Sequence, residues 1–292
     1  IDMPVHKKNP FTIWSCSRKI AELARRDKVQ LIHAHSRVPA WIARWAANSA
    51  GIPYIVTAHV VFGNKSPWIY APYRDAARGI CVSNAVREGM KECFYDNTQV
   101  VLNGLDEPKV RWNEKNLEGP VKFLFVGRLS PVKGLHDALR AMPEDMEWTM
   151  DVLGDGPMRE ELETITKERG FTERVKFHGY SDKADDFMAR SSCLLFPSYT
   201  EGMPLTLARA VQIGIPVIAS DIPPVSEMAG TSDNLLPAGD IPAWREAIAD
   251  FIKTRLAKAT IPLSSVPTLA KMVDADERIY GEVTGKFAEG VK

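Results

Sequence analysis

The sequence predicts an α/β protein built from two Rossmann-like domains that face each other across a cleft. Three observations carry that prediction. Apolar runs of four to seven residues alternate with helical patterns along the chain, as in parallel sheets covered by helices. Almost every suggestive residue immediately follows one of the apolar runs, where open parallel sheets bind their ligands. A polar stretch without apolar periodicity, residues 106–118, divides the alternation in two.

Taken in order, residues 14–26 read as a helix ahead of the strand-like VQLIHAH at 29–35. The Ala-rich VPAWIARWAANSA (38–50) continues as a helix and stops at Gly51. PYIVTAH (53–59), GICVSN (79–84) and TQVVLNG (98–104) read as strands, with the helical AVREGMKECF (85–94) before the last of them. In the second half VKFLFVG (121–127) is almost wholly apolar, the mark of a central parallel strand buried on both faces. The helical LHDALRAM (135–142), the strand WTMDVLG (148–154), the helix MREELETITKERG (158–170) and the strand VKFHGY (175–180) follow. DKADDFMARS then leads to CLLFPS (193–198), PLTLARAVQIG (204–214) to PVIAS (216–220), and NLLPAG (234–239) to AWREAIADFIKTRLAKA (243–259). A Pro/Ser-rich interruption at 260–270 precedes a last helical stretch. The resulting division is an N-terminal domain at 1–107, a linker at 108–118, a C-terminal domain at 119–270 and a helical segment at 271–292.

Composition narrows the function. The 292 residues hold 37 Lys plus Arg and 37 Asp plus Glu, so the formal charge is zero, which argues against a nucleic-acid binder. The balance is uneven: residues 1–118 carry 17 basic and 11 acidic side chains, residues 119–292 carry 20 and 26. Cys16, Cys81, Cys93 and Cys193 have no metal or redox spacing and read as free buried thiols of a reducing, cytoplasmic compartment. No apolar run reaches the roughly 20 residues that span a bilayer, and the start has no signal-peptide core. Lys7, Lys8, Arg18, Lys19, Arg25, Arg26 and Lys28 face only three acids within residues 1–28. They make either a solvated helix face or a patch for anionic lipid on the inner membrane face.

The candidate chemistry lies past the strands. Arg128 and Lys133 occupy GRLSPVKG (127–134), two cations at a strand terminus that suit a diphosphate, although a basic loop is also simply soluble. In YTEGMPLTLARA (199–210), Pro204 suits a first helical turn, and the N–H groups around Leu205 and Thr206 form an anion site. Glu201 there either holds sugar hydroxyls or, with Thr206, caps the helix. GDGP (154–157) resembles a nucleotide-binding glycine loop or an ordinary turn. His33 and His35 share one strand face, but a metal would need further ligands, so no metal is assigned. His59 ends another strand and can donate a hydrogen bond to a sugar hydroxyl from across the cleft.

Together these segments resemble the retaining GT-B glycosyltransferases of glycosyltransferase family 4, from about Val29 to about Ala257. The resemblance rests on motifs in the family's order: IHAH (32–35), TAH (57–59), VSN (82–84), LNGLD (102–106) and FVGRLSPVKG (125–134). They continue with LGDGP (153–157), FHGY (177–180), FPSYTEGMPLTLARA (196–210) and GIPVIASDIPPVSE (214–227). It implies transfer of a sugar from a UDP- or GDP-linked donor to a glycan or lipid-linked acceptor, with retention and without a bound metal or other cofactor. It implies that Arg128 and Lys133 clamp the diphosphate, Glu201 holds the donor sugar, and His59 reaches that sugar. It also implies that Gly127, Gly154, Gly179, Tyr180, Leu205, Thr206 and Arg209 line the nucleotide. No nucleophile is assigned.

Two departures stand out. The family pattern expects a second Glu eight positions after Glu201, which grips the ribose; this chain has Arg209, which has no acceptor. Weaker donor binding is the expected result, with a catalytically impaired nucleotide or sugar binder as the alternative reading. The match also starts only at Val29, so the family's first strand and glycine-rich loop are not recognisable, and the N-terminal domain is expected to be incomplete. A sugar-nucleotide epimerase is the enzymatic alternative. A dinucleotide oxidoreductase lacks its GxGxxG fingerprint here.

Overall fold

A computed structural model of the chain describes residues 3, 9–62, 66, 68–94, 97–231, 235–256 and 261–285. Lys7 and Lys8 of the basic cluster and Ala257 lie outside the described residues, as do residues 286–292 of the last helical stretch. The chain divides into two units, Ile1–Gly104 with Pro267–Lys292, and Leu105–Val266.

In the first unit, α1 (Pro10–Arg26) leads to β1 (Ile32–His35), α2 (Arg37–Ala50), β2 (Tyr54–Ala58), the short α3 (Ala71–Arg74), β3 (Arg78–Cys81), α4 (Asn84–Phe94) and β4 (Thr98–Val100). The four strands are parallel in the order β1-β2-β3-β4. Small side chains decide how the helices pack: Ala21 and Ala24 of α1 and Ala40, Ala43, Ala46 and Ala47 of α2 are all buried, which lets the two helices approach closely. Every residue of β2 is buried, as expected for an inner parallel strand.

The second unit runs β5 (Val121–Val126), α5 (Leu135–Ala141), β6 (Trp148–Leu153), α6 (Arg159–Glu168), β7 (Val175–Gly179), α7 (Ala184–Arg190), β8 (Cys193–Phe196), α8 (Leu205–Ile213), β9 (Val217–Asp221), α9 (Pro223–Ala229), β10 (Leu236–Pro237) and α10 (Ile241–Thr254). Its six parallel strands are ordered β10-β9-β8-β5-β6-β7. Alternation along β5 shows why the run is apolar throughout. Val121, Phe123 and Phe125 enter one core with Leu139, Trp244 and Phe251, and Leu124 enters the opposite one with Leu194, Leu207 and Val225. The chain moves outward from β5 to β7, then crosses to β8 on the other side of β5. That reversal is the topological switch point, where ligands bind in sheets of this kind.

Residues 106–118 are not a free tether but dock on the second unit. Trp112 N–H donates to Ile213 O at 2.9 Å and its indole to Ser191 O at 2.8 Å, while Asn116 donates to Ala189 O at 2.7 Å. These acceptors lie at or just past the C-terminal ends of α7 and α8, so the polar segment satisfies carbonyls that the helices leave unpaired. Residues from 267 onward group with the first unit rather than standing alone: in α11 (Leu269–Thr284) Ile279 is buried with Ile55, Ile80 and Val101. Apolar burial on the exposed sheet face is the reason.

Candidate functional site

Loops leaving β5, β6, β7 and β8 meet at the carboxyl ends of the second sheet. Gly127 N–H donates to Leu153 O (3.0 Å), Leu129 N–H to Asp155 O (2.9 Å), Gly154 N–H to Gly179 O (2.7 Å) and Tyr199 N–H to Val132 O (2.8 Å). Backbone approaches this close demand glycine at two places. A Cβ on Gly154, at φ 134°, would lie 1.9 Å from Gly127 O, and one on Gly134, at φ 66°, 1.9 Å from Pro197 O. Gly127, Gly154 and Gly179, separated by up to 52 residues in sequence, are thereby brought together.

At the switch point Lys133 Nζ lies 2.6 Å from Glu201 Oε1, and Ser198 Oγ donates to the same oxygen at 2.8 Å. Glu201 is largely buried, its side chain 10% exposed. Both bonds converge on one carboxylate oxygen, and the other takes part in neither. Arg128, in the same loop as Lys133, is exposed and forms no ion pair among the described residues. Thr206 lies in the first turn of α8, but the expected pair of backbone donors is reduced to one. Leu205 N–H already donates to Met203 O at 2.9 Å, because Pro204 and Met203 fold into a tight turn before the helix.

Tyr180, just after β7, is 88% exposed with its ring in solvent. Arg209 does not face open space: its guanidinium pairs with Asp106, approaches Asp185 Oδ1 at 3.5 Å and donates to Gln212 Oε1 at 3.0 Å. Sequence reasoning missed Ser198 and the buried Asp137, which accepts the Tyr199 hydroxyl. That hydrogen bond is the first cause pushing the Tyr199 hydroxyl up to about 12, with burial adding to it. The signal available was the Tyr-Thr-Glu-Gly string itself, which does not reveal a partner 62 residues away.

His59 belongs to the first unit, where it joins His33 and His35. His35 Nδ1 lies 2.9 Å from His59 Nε2. His33 has both ring nitrogens engaged, Nδ1 with the Tyr280 hydroxyl at 2.8 Å and Nε2 with Thr57 Oγ1 at 2.7 Å. It therefore has no lone pair for a metal, and among the described residues no group of three or more His, Cys, Asp or Glu could hold one. Burial lowers all three histidines, His33 to about 4.

Comparisons with known proteins fit this geometry. The family profile described as glycosyl transferases group 1 matches residues 106–261, and that of glycosyltransferase family 4 matches residues 1–108. The chain is 27% identical over 266 residues to the putative teichuronic acid biosynthesis glycosyltransferase TuaC of Bacillus subtilis, covering 84% of this chain and 67% of that one. It is 30% identical over 184 residues to a lipopolysaccharide 1,6-galactosyltransferase of Salmonella typhimurium, covering 58% and 49%. The chain thus spans half to two thirds of these relatives. Among solved structures, Anabaena HepE in complex with UDP and glucose superposes with a TM-score of 0.79 at 19% identity, over 91% of this chain and 81% of that one. Sucrose-phosphate synthase from Thermosynechococcus elongatus gives 0.82 at 16%, over 94% and 79%. These likenesses establish a GT-B type fold of two Rossmann-like units.

Proposed function

Because the chain belongs to the group 1 glycosyl transferases, we propose that it moves a sugar from a nucleotide diphosphate sugar to a glycan or lipid-linked acceptor, with retention at the anomeric carbon. The observation that carries this reading is the Lys133–Glu201 pair at the switch point, in one loop system with the unpaired cation Arg128. Arg128 and Lys133 supply positive charge to a diphosphate as it leaves, the stage at which its own charge grows. Thr206 adds a donor at the start of α8, where the helix dipole favours an anion. The free oxygen of Glu201 accepts hydroxyls of the donor sugar, and the Tyr180 ring offers an apolar face to the base. Two cations, one of them held by Glu201, and a helix terminus meet the electrostatic demand of the leaving group.

The role proposed for His59 is a hydrogen bond to a sugar hydroxyl, for which its neutral state at pH 7 is suited. The names of the two relatives, one for teichuronic acid biosynthesis and one for a lipopolysaccharide, support a polysaccharide or lipopolysaccharide as the acceptor class. A lipid-linked acceptor would fit the exposed side of α1, which carries Phe11, Trp14, Arg18, Lys19 and Arg26, the last paired with Asp27, and is proposed to touch anionic lipid. A second reading, a homologue that binds nucleotide without transfer, draws on Arg209, whose charge is committed to Asp106 and Asp185.

The test is a thermal-shift and calorimetric screen of UDP- and GDP-sugars, followed by product analysis by NMR. Expected are one stabilising nucleotide, an α-configured donor giving an α-linked product, and lost affinity in Arg128→Ala and Lys133→Ala. Donor isomerisation without acceptor would instead indicate an epimerase, and binding without turnover the second reading. Unchanged affinity in both variants would remove the proposed diphosphate clamp.

A further inference from the structure

His59 does not stand alone at the end of β2. The register pairs His35 with Thr57 across β1 and β2, so the last residue of one strand lies level with the residue two before His59. The two rings stack with centroids 5.2 Å apart and planes 27° apart, and His35 Nδ1 meets His59 Nε2 at 2.9 Å. The ring of His33 also lies close to His35, 4.3 Å between centroids, itself pinned by Thr57 and Tyr280. Immediately after His35, Ser36 takes φ 73° and ψ 175°, a region essentially reserved for glycine. A serine held there marks a place where the surrounding structure fixes the backbone against its own preference, and strain of this kind clusters at functional sites.

Resting on the transferase reading above, we propose that His35 is a positioning residue for His59, the two imidazoles acting as one hydrogen-bonded unit that sets what His59 presents to substrate. The chemistry follows from counting protons. A hydrogen bond between two ring nitrogens needs one proton between them. If His35 Nδ1 carries it, His59 Nε2 accepts, His59 Nδ1–H is an outward donor, and His35 Nε2 is an outward acceptor. If His59 Nε2 carries it, both outward roles reverse. Each neutral state therefore offers one donor and one acceptor at opposite ends. His59 cannot change from donor to acceptor unless His35 changes in the opposite sense. A lone histidine at position 59 has no such constraint, because either nitrogen can face the substrate in either form.

The surroundings keep the unit neutral at pH 7. Among the described residues, the charged and titratable groups that face it are Asp276 on α11 and His33 on β1, the latter bound to the Tyr280 hydroxyl of α11. Burial lowers His35 while Asp276 opposes that shift, and His59 is lowered by burial and then by the charge His35 would bear. Protonating both rings would place two charges in contact, so the unit takes its first proton on His35, which Asp276 favours, and His59 binds a second only against that charge. Loss of His35 removes that repulsion, and the His59 value moves back up toward 6.5.

The test uses the full chain labelled with ¹⁵N-histidine, free of nucleotide, with the His59 resonances assigned through His59→Gln. His35→Ala removes the partner. His35→Asn keeps an amide where Nδ1 stood and restores a hydrogen bond. Expected are one defined tautomer for His59 in the unsubstituted chain and in His35→Asn, and a mixture with a raised pKa in His35→Ala. In the transfer assay, His35→Ala should lower kcat about tenfold with donor KM within about twofold. Its acidic limb should move to higher pH, and His35→Asn should recover most of the loss. His59 shifts and titration that do not change in His35→Ala would overturn the proposal, as would His35→Asn behaving like His35→Ala. The NMR result decides the pairing even if no sugar is transferred, so failure of the transferase reading is recognised separately.

Discussion

Glu201 receives the Lys133 ammonium and the Ser198 hydroxyl on one oxygen, so its charge orients the cation that a diphosphate would meet. Glu201→Gln keeps the shape and removes the charge. A charge-assisted hydrogen bond contributes about 1.5–3 kcal/mol, so donor kcat/KM should fall roughly ten- to a hundredfold. Steady-state kinetics with whichever sugar nucleotide the screen selects would show it, and an unchanged kcat/KM would remove Glu201 from the site. Arg209 calls for a different experiment. Replacing it with the carboxylate that the family pattern leads one to expect would bring that group against Asp106 and Asp185. Arg209→Glu alone should therefore melt at a lower temperature without binding UDP or GDP more tightly. Arg209→Glu with Asp185→Asn should bind more tightly, by calorimetry. Tighter binding in the single variant would show that the two aspartates do not govern this position. At this scale the sequence revealed residue types at strand ends, which is enough to nominate Arg128, Lys133 and Glu201 as candidates, the last two of which the structure pairs. It could not reveal pairings across 62 or more residues, such as Tyr199 with Asp137 or Arg209 with Asp106, because periodicity carries no information on distant partners.

Elements differ in how visibly the sequence encodes them. β5 was legible because both faces are buried and the run is apolar throughout, and α6 because its apolar positions recur at helical spacing around Leu162 and Ile165. The short α3 and α9 escaped, each only one to two turns long and opened by prolines, which read equally as loop. The place of α11 also escaped, since its pattern declares an apolar face but not which sheet that face covers. The glycine loops bear on the proposed nucleotide site at this scale. Gly154 holds the β6 loop against the carbonyl of Gly127, and an added methyl has nowhere to go. Gly119, at φ 72°, has open space around it, so alanine there costs only the left-handed backbone penalty of about 1–2 kcal/mol. Gly154→Ala should lower the melting temperature more than Gly119→Ala and weaken nucleotide binding, while Gly119→Ala leaves binding intact. Equal melting shifts with full binding in both would mean that the close approach of the two loops is unimportant.

Charge distribution belongs to the whole molecule, where a formal total of zero conceals 17 basic against 11 acidic residues in 1–118 and 20 against 26 in 119–292. If the acidic half holds a diphosphate as proposed, it must do so by local geometry, for which Lys133, Arg128 and the start of α8 are the candidates. The basic excess has a different location. On α1 the rings of Phe11 (72% exposed) and Trp14 (48% exposed) lie 5.9 Å apart, and Arg18 sits 5.2 Å from the Trp14 ring. Lys19, Arg25 and Arg26 are exposed farther along the same helix. Aromatic side chains at one end and cations behind them are suited to an interface in which rings enter the headgroup layer and ammonium and guanidinium groups meet phosphate. Among the described residues no helix is long and apolar enough to cross a bilayer. The protein should therefore co-sediment with vesicles containing anionic phosphatidylglycerol and not with neutral phosphatidylcholine. Each basic contact is worth about 1 kcal/mol near such a surface and is screened within a Debye length, so binding should fall steeply as salt rises. Phe11→Ala with Trp14→Ala should weaken binding at every salt concentration, whereas Lys19→Gln with Arg26→Gln should reduce its salt dependence. Equal, negligible sedimentation with both vesicle types would leave the basic face of α1 a merely solvated one.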